Sequence, residues 1–351
     1  MPTMLVDLAF GEALGKDKLD LSGTWKFQLD PNNVGLNDGW FRNVFSDTID
    51  LPGTTDQNKK GIFLDEREDV RLSRVWYWKG AAWYQKEIEI PESWAGKHVR
   101  LVLERAKDTW VWFDEVNVGY ENTLSAPQYF DLSEAATPGK HRITILVDNA
   151  KLPPVGPAHA VDERTQTNWN GVVGKMELQM TDPVWIEEVQ AYPDVANNRV
   201  KIRAMLRNIT GQQASGELVI HAESWNSETP VKFRTRKEQV SGITDEKVIE
   251  FTYEFDKKAP LWDEFDPALI QLRLQLSAAA GNSRYTSSKQ VDFGMREFTR
   301  EGKHLYINGE RVFLRGRIDS ANYPLTGYAP MSKGAWLRMF RQLKSYGINH
   351  W

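Results

Sequence analysis

The sequence predicts a mainly β protein in three successive parts: a jelly-roll sandwich over residues 1–182, an immunoglobulin-like β-sandwich over 183–294, and the first β/α unit of a truncated (β/α)8 barrel over 295–351. Three observations predict it. Short alternating apolar runs separated by turn clusters follow one another from Gly23 to Leu276, with no long helical periodicity between them. Asp182-Pro183 interrupts that series. Beyond Gly294 the pattern changes to a hairpin, an irregular stretch and an amphipathic helix.

In the first part the runs are Gly23 to Leu29, Trp83 to Ile90, Val99 to Leu103, Thr109 to Phe113 and Arg142 to Val147. Alternation is what a sheet with one buried face requires, and an antiparallel jelly roll of about 160 residues accommodates these runs. Pro91-Glu92-Ser93-Trp94-Ala95-Gly96 and Thr137-Pro138-Gly139-Lys140 supply turns. In the second part Val200 to Leu206, Glu217 to Ala222, Val248 to Tyr253 and Ile270 to Leu276 repeat the alternation. Some seven strands in about 110 residues is the size of an immunoglobulin-like domain, although the hallmark disulfide is absent because the chain has no cysteine.

The third part opens with His304 to Ile307 and Val312 to Leu314 flanking Asn308-Gly309, a pair that tolerates positive φ and so marks a hairpin. Ser332 is placed to cap a helix whose apolar residues Trp336, Met339, Phe340 and Leu343 follow helical spacing, and Gly347 to close it. Ile348-Asn349-His350 then begins another strand. A closed barrel needs eight such units and about 250 residues, so a chain stopping here is expected to lack most of it.

With 351 residues, 41% hydrophobic and 26% charged, the composition is that of folded globular protein. A net charge of -4 without a Lys/Arg cluster argues against nucleic acid or anionic membrane as a partner. No stretch approaches the roughly 18 apolar residues of a membrane span, and Met1 to Phe10 lacks the form of a secretory signal. Asn208-Ile209-Thr210 matches the glycosylation triplet, which arises often by chance. The six histidines show no metal-ligand spacing, and no cofactor is expected. Fourteen Trp, 11 Tyr and 15 Phe suit sandwich cores and also sugar rings, which stack on flat apolar faces. Trp76-Tyr77-Trp78 is one candidate for stacking, since alternation cannot bury all three.

The order of the three parts, and several short motifs, resemble glycoside hydrolase family 2, the family of β-galactosidases, β-glucuronidases and β-mannosidases. Leu21-Ser22-Gly23-Thr24-Trp25-Lys26-Phe27 resembles its opening strand, Leu51-Pro52-Gly53-Thr54-Thr55-Asp56 its first sugar-side loop, and Trp169 to Leu178 the closing strand of its sugar-binding domain. Leu261-Trp262-Asp263 with Pro267 is similar to the family's immunoglobulin-domain signature. Gly294-Met295-Arg296, Ile307-Asn308-Gly309-Glu310 and Leu314-Arg315-Gly316 resemble its barrel entrance.

The resemblance implies a retaining exo-β-glycosidase, β-galactosidase-like, whose paired glutamates stand about 5 to 5.5 Å apart. Those glutamates sit on later barrel strands in the family, so the catalytic pair is expected beyond Trp351 and these residues alone are expected to be inactive. The implied partner is a β-linked carbohydrate, the implied setting periplasmic or secreted, and a homo-oligomer is compatible with it. Substrate contacts are implied for Arg315, Asp319, Asn322 and Tyr323 at the end of the first barrel strand, and for Asp56, Asn168, Trp169 and Asn170 on the sandwich. The bland alternatives are a turn-capping role for Asp56, a core role for Trp169 and strand-to-strand pairing for Arg315. Two departures stand out. Family members carry histidines where this chain has Ser320, Asn322 and Tyr323, and an Asp where it has Thr167, so no metal site is carried over there. The reading from a different class is a non-catalytic carbohydrate-binding or adhesion module. A third, an enzyme using Asp162 and Glu163, is disfavoured because neighbouring strand residues point to opposite faces.

Overall fold

The structure, a computed structural model, describes residues 17–65, 72, 74–123, 126–151, 161, 166–320 and 323–351. They fall into two compact units, one holding residues 17–180 together with Gly316–Trp351, the other holding Thr181–Arg315.

The first unit contains β1 (Lys18–Asp20), β2 (Gly23–Asp30), β3 (Asp47–Leu51), β4 (Gly53–Thr54), β5 (Ile62–Phe63), β6 (Trp76–Tyr77), β7 (Ala81–Ile90), β8 (His98–Arg105), β9 (Asp108–Phe113), β10 (Val116–Glu121), β11 (Gln128–Asp131), β12 (Gly139–Asp148) and β13 (Gly171–Thr181). One sheet runs β1-β13-β8-β11 with β4 on β13, and the other β10-β9-β12-β7-β2-β3. Between them lies a core that includes Trp25, Phe27, Tyr84, Leu101, Val111, Ile143 and Val172. Each such side chain contributes about 1.5–3 kcal/mol by leaving water. Trp94, inside the Pro91–Gly96 turn, closes one end of that core from a short 3-10 helix over Glu92–Trp94.

Alternation alone would place Trp83 and Trp112 on a wet outer face. Instead they are buried with Phe45 and Leu146, because the connection between β2 and β3 folds back and lays Trp40 and Phe41 over them. Phe41 stacks on Trp112 with ring centroids 5.2 Å apart, and Trp83 lies 5.3 Å from Trp112. Several tryptophans of this aromatic-rich chain therefore build a second, smaller core on the outside of the six-stranded sheet. β5 and β6 pair in a separate ribbon, in which Trp76 and Tyr77 are both half-buried and Trp76 meets the edge of Phe63 at 5.4 Å. Trp78 packs against the main core instead.

The second unit contains β14 (Val184–Asp194), β15 (Arg199–Asn208), β16 (Ala214–Trp225), β17 (Arg236–Ile243), β18 (Glu246–Glu254), β19 (Leu269–Ala280) and β20 (Ser283–Phe293). Three of these form the sheet β14-β15-β18 and four the sheet β17-β16-β19-β20. Val200, Ile202, Ala204 and Leu206 on one sheet, and Leu218, Ile220, Leu272 and Leu274 on the other, share one apolar core. A hairpin set follows, β21 (Phe298–Glu301), β22 (His304–Ile307) and β23 (Glu310–Val312). Its turn has Asn308 at φ 53° and Gly309 at φ 82°, as the Asn-Gly pair predicts. The Asn308 amide donates to the Trp262 carbonyl at 3.0 Å, tying the hairpin to the Leu261-Trp262-Asp263 motif.

Back in the first unit, α1 spans Lys333–Ser345 and is capped by the Ser332 hydroxyl, which accepts from the Ala335 N–H. Gly347 at φ 74° ends it. The chain then returns so that His350 bridges Gly316 in parallel, with the Arg317 N–H donating to the His350 carbonyl at 3.0 Å. A single parallel bridge thus brackets the helix where the sequence predicts a barrel strand on either side. No residue of α1 is fully buried, and Trp336, Phe340 and Trp351 pack on one another. No helix among the described residues is long and apolar enough to cross a membrane.

Asp108 and Asp148 lie opposite each other on β9 and β12, both nearly inaccessible. Burial, with the Asp148 charge behind it, raises the Asp108 pKa against the lowering effect of the hydrogen bond from Tyr120. A raised folded-state pKa favours the protonated form, so the stability it lends is present below the unfolded value and is lost as pH rises through the folded one. Asp108→Asn is therefore expected to raise the thermal midpoint at pH 7 and to lose that advantage as pH falls toward about 3.5, below the unfolded carboxylate pKa. Melting curves across that range check it.

Candidate functional site

The loop after β4 is built by local hydrogen bonds. Asn58 donates to the carbonyls of Asp50 at 3.1 Å and Thr54 at 3.0 Å, and its own side-chain oxygen accepts from the Asp50 N–H at 3.0 Å. The loop is joined to the start of β13 by the Thr55 N–H, which donates to the Asn170 carbonyl at 2.9 Å. Gly171, at φ 137°, lies so close to β4 that an added Cβ would stand 2.3 Å from the Gly53 carbonyl oxygen. Only glycine permits that approach.

Asn170 has no exposed surface. Its amide nitrogen donates to the carbonyls of Gly80 at 2.8 Å and Val147 at 2.9 Å, and its oxygen accepts from the Tyr84 hydroxyl at 2.6 Å. This side chain is spent on the frame and offers nothing to a sugar, unlike the hydroxyl contact expected from the sequence. Tyr84 is held protonated: burial raises its pKa well above normal, and the Asp56 charge adds to the effect. Asn149 extends the network by donating to the Asn168 carbonyl at 3.0 Å and the Trp78 carbonyl at 3.1 Å. Asn168 is likewise nearly inaccessible.

Trp169 is 5% exposed and packs edge-on to Tyr328, ring centroids 6.1 Å apart. Lys107, itself buried, holds its ammonium 4.3 Å above the Trp169 ring and donates to the Thr167 carbonyl at 3.1 Å. In this arrangement the Trp169 ring is a wall between a buried cation and Tyr328, which fits the core role.

Asp56 pairs with Arg74 at 2.8 Å, with side chains 19% and 7% exposed. Next to it Gln57 accepts from the Tyr328 hydroxyl at 2.9 Å. Tyr328 belongs to the segment that follows the Gly316 strand, and the Arg105 guanidinium donates to the adjacent Ala329 carbonyl at 2.9 Å. Gly327 reaches left-handed φ of 75°, and a Cβ there would lie 2.2 Å from the Gln166 carbonyl oxygen. The Tyr328 pKa is raised first by burial and also by the Asp56 charge, with the Gln57 hydrogen bond and Arg105 opposing. Upstream, Tyr323 is raised by burial and by Asp319, with Arg105 and Arg317 opposing. Asp319, Tyr323, Arg105, Tyr328, Gln57, Asp56 and Arg74 thus form one electrostatically linked row.

Of the residues expected from sequence, the structure brings Asp56, Asp319 and Tyr323 onto this row and puts Trp169 and Asn170 beneath it. Arg315 sits in the other unit, where it pairs with Glu264 at 2.8 Å in place of a catalytic carboxylate. Asn322 lies outside the described residues, as do Asp162 and Glu163. Sequence reading missed Gln57, Arg105, Lys107 and Tyr328 as site residues. Only Tyr328, an aromatic beside a glycine in an otherwise irregular stretch, carried any local signal.

Residues 18–181 match the family model described as "Glycosyl hydrolases family 2, sugar binding domain". A β-glucuronidase of Paenibacillus borealis is 26% identical over 324 residues, covering 87% of this chain and 50% of that protein. A β-galactosidase of Thermoanaerobacter pseudethanolicus is 25% identical, with 88% and 38% covered. Among solved structures, β-glucuronidase 2 of Bacteroides uniformis, covalently bound to cyclophellitol-6-carboxylate aziridine, superposes with a TM-score of 0.73 at 17% identity, covering 95% of this chain and 39% of that one. The Ruminococcus gnavus β-glucuronidase in complex with uronic isofagomine gives a TM-score of 0.68 at 17% identity, with 94% and 53% covered. These likenesses in structure establish the shared fold. The chain spans half or less of the length of these curated relatives.

Two substitutions probe the row. Asp56→Asn removes the charge of a largely buried pair and is expected to cost about 1–3 kcal/mol of unfolding free energy. Gly327→Ala is expected to cost about 2 kcal/mol or more, from φ strain and the clash with Gln166. Denaturant titration measures both, and a loss under 0.5 kcal/mol, roughly the scale of an ordinary surface change, would contradict the packing described.

Proposed function

From a chain that belongs, through residues 18–181, to glycosyl hydrolases family 2, we propose a protein that hydrolyses terminal β-glycosides with retention, through a pair of carboxylates carried outside these 351 residues. The sandwich of the first unit is a jelly roll that shapes one wall of the sugar site. The second unit is an immunoglobulin-like spacer, and Gly316–Trp351 is the opening β/α unit of the catalytic barrel. The observation that carries this reading is the hydrogen bond from Tyr328 to Gln57, which joins the sandwich loop to that β/α unit. A binding module that ended with its sandwiches has no need of such a tie.

In this reading Asp56 and Asp319 accept hydroxyl protons of the sugar, and Tyr323 offers a hydroxyl that remains a donor because its pKa is raised by burial and by Asp319. Arg105 and Arg74 bring two guanidinium groups to the wall, each already facing a carboxylate, Glu104 at 3.3 Å and Asp56 at 2.8 Å, and a uronic acid carboxylate can share them. The relatives named β-glucuronidase, and the neighbouring structures solved with uronic-acid mimics, support the same choice. A β-glucuronide is accordingly placed ahead of a β-galactoside as substrate.

The test is an assay of the protein expressed from its complete coding region on nitrophenyl β-glucuronide, β-galactoside, β-mannoside and β-glucoside, with the product anomer followed by proton NMR. Turnover of the glucuronide with the β anomer formed first is expected. Inactivity on every substrate, or an inverted product, would overturn the proposal. In the active protein Tyr323→Phe is expected to lower kcat/KM about tenfold, on the order of one hydrogen bond to a charged or polar sugar group. Steady-state kinetics measure it.

A further inference from the structure

A cavity with several charged and polar side chains in its lining lies on the outer face of the six-stranded sheet, away from the row described above. Lys26 on β2, Thr48 on β3, Gln85 and Glu87 on β7, and Arg142 on β12 alternate with core residues Phe27, Ile49, Tyr84, Ile88 and Ile143, so they leave the sheet on the side opposite the sandwich core. Together they line a cavity of about 400 Å³. That volume is within the roughly 300–1,000 Å³ of small-molecule sites.

The cavity is built rather than incidental. Its wall is the Phe41–Val44 loop, held by the Arg142 guanidinium donating to the Phe41 carbonyl at 3.0 Å and by the Gln85 amide donating to the Asn43 carbonyl at 2.9 Å. Gln85 is only 2% exposed, so its placement is fixed by packing. Arg142 also reaches the Asn43 carbonyl with Nη1 at 3.4 Å and its Nε is buried, so it lends the cavity its charge rather than a free fork. Lys26 has no carboxylate partner among them, whereas Lys86, also at the cavity, is committed to the Ser22 carbonyl at 3.0 Å and to the charge of Asp20. Two cationic groups thus stand against one carboxylate, Glu87, in a chain whose net charge is -4.

We propose that this cavity binds one acidic sugar residue, its carboxylate or sulfate on Lys26 within the field of Arg142, its ring hydroxyls on Glu87, Thr48 and the Gln85 amide oxygen. Carboxylate and amide acceptors beside a hydroxyl suit a polyol, and the paired cations suit a single anionic group. A bare inorganic anion would leave Glu87 opposed to it. The site is distinct from the row around Asp56, and, resting on the reading of the protein as a β-glucuronide hydrolase, it would hold a chain of the same acidic glycan apart from the place where it is cut.

The test is an amide chemical-shift titration of the 351-residue chain at fixed ionic strength with methyl β-D-glucuronide, glucose 6-sulfate and methyl β-D-glucoside. Saturable shifts at Lys26, Thr48 and Gln85 are expected with at least one acidic sugar, and the tighter of the two identifies the anionic group. The neutral glucoside is expected to bind about fivefold more weakly or worse, as is the better acidic sugar to Lys26→Glu, since one partly exposed charge pair is worth about that factor. An unchanged amide spectrum elsewhere and an unchanged melting midpoint show that Lys26→Glu still folds. Shifts confined to Thr54–Asn58, equal binding of the neutral sugar, or undiminished binding by Lys26→Glu would each overturn the proposal.

Discussion

The first unit depends on a polar side chain placed where an apolar one would ordinarily go. Asn170 sits at the start of β13 with no access to solvent, and its bonds reach Gly80, Val147 and Tyr84, which lie 23 to 90 positions away from it in sequence. A buried amide stripped of partners costs on the order of 1–3 kcal/mol, so the site is satisfied only when all three neighbours are in place at once. Apolar packing could hold these strands together in several registers. The asparagine makes one of them much better than the others, and the Thr55 bond to its backbone carbonyl extends that register into the loop carrying Asp56 and Gln57.

From that node the site is assembled outward in layers. Tyr84, kept protonated by burial, anchors Asn170 from the core side. Trp169, between the Lys107 ammonium and Tyr328, converts the end of the sandwich into a flat support. Tyr328 then bonds Gln57 and fixes the segment that also carries Asp319 and Tyr323. Side chains that touch one another in this row come from the β4 loop, from β8 and from residues more than 200 positions later. Tyr328 is itself buried, and the Asp56–Arg74 pair is largely so, which holds this end of the row in place.

Much of the fold was legible because it rests on periodicity. The alternating runs around Phe27, Leu101, Ile145, Ile202 and Leu274 are strands whose apolar members form the two cores. The Asn308-Gly309 turn and the Ser332 cap are local chemistry, and they stand where the sequence puts them. Edge strands were less visible: β20 is largely polar because one of its faces is wet, so it offers no apolar alternation to read. The burial of Trp83 and Trp112 on the outer face was hidden as well, since it depends on where the loop carrying Trp40 and Phe41 lands. For the site the limit is similar. Asp56 could be found from its loop, but whether an asparagine such as Asn170 faces substrate or frame is decided by long-range neighbours, and Arg105 and Gln57 acquire their roles only through Tyr328. Family likeness located the neighbourhood, and the tertiary hydrogen bonds sorted its members.

Hydrogen exchange on Asn170→Leu beside the native chain tests the dependence on this one residue most directly. The account predicts faster amide exchange at Thr54–Asn58, around Gly80 and around Asn149, with the sheets centred on β7, β12 and β16 retaining their protection. Uniform loosening of the whole unit, or protection unchanged in the Asp56 loop, would contradict the claim that Asn170 sets the position of the site.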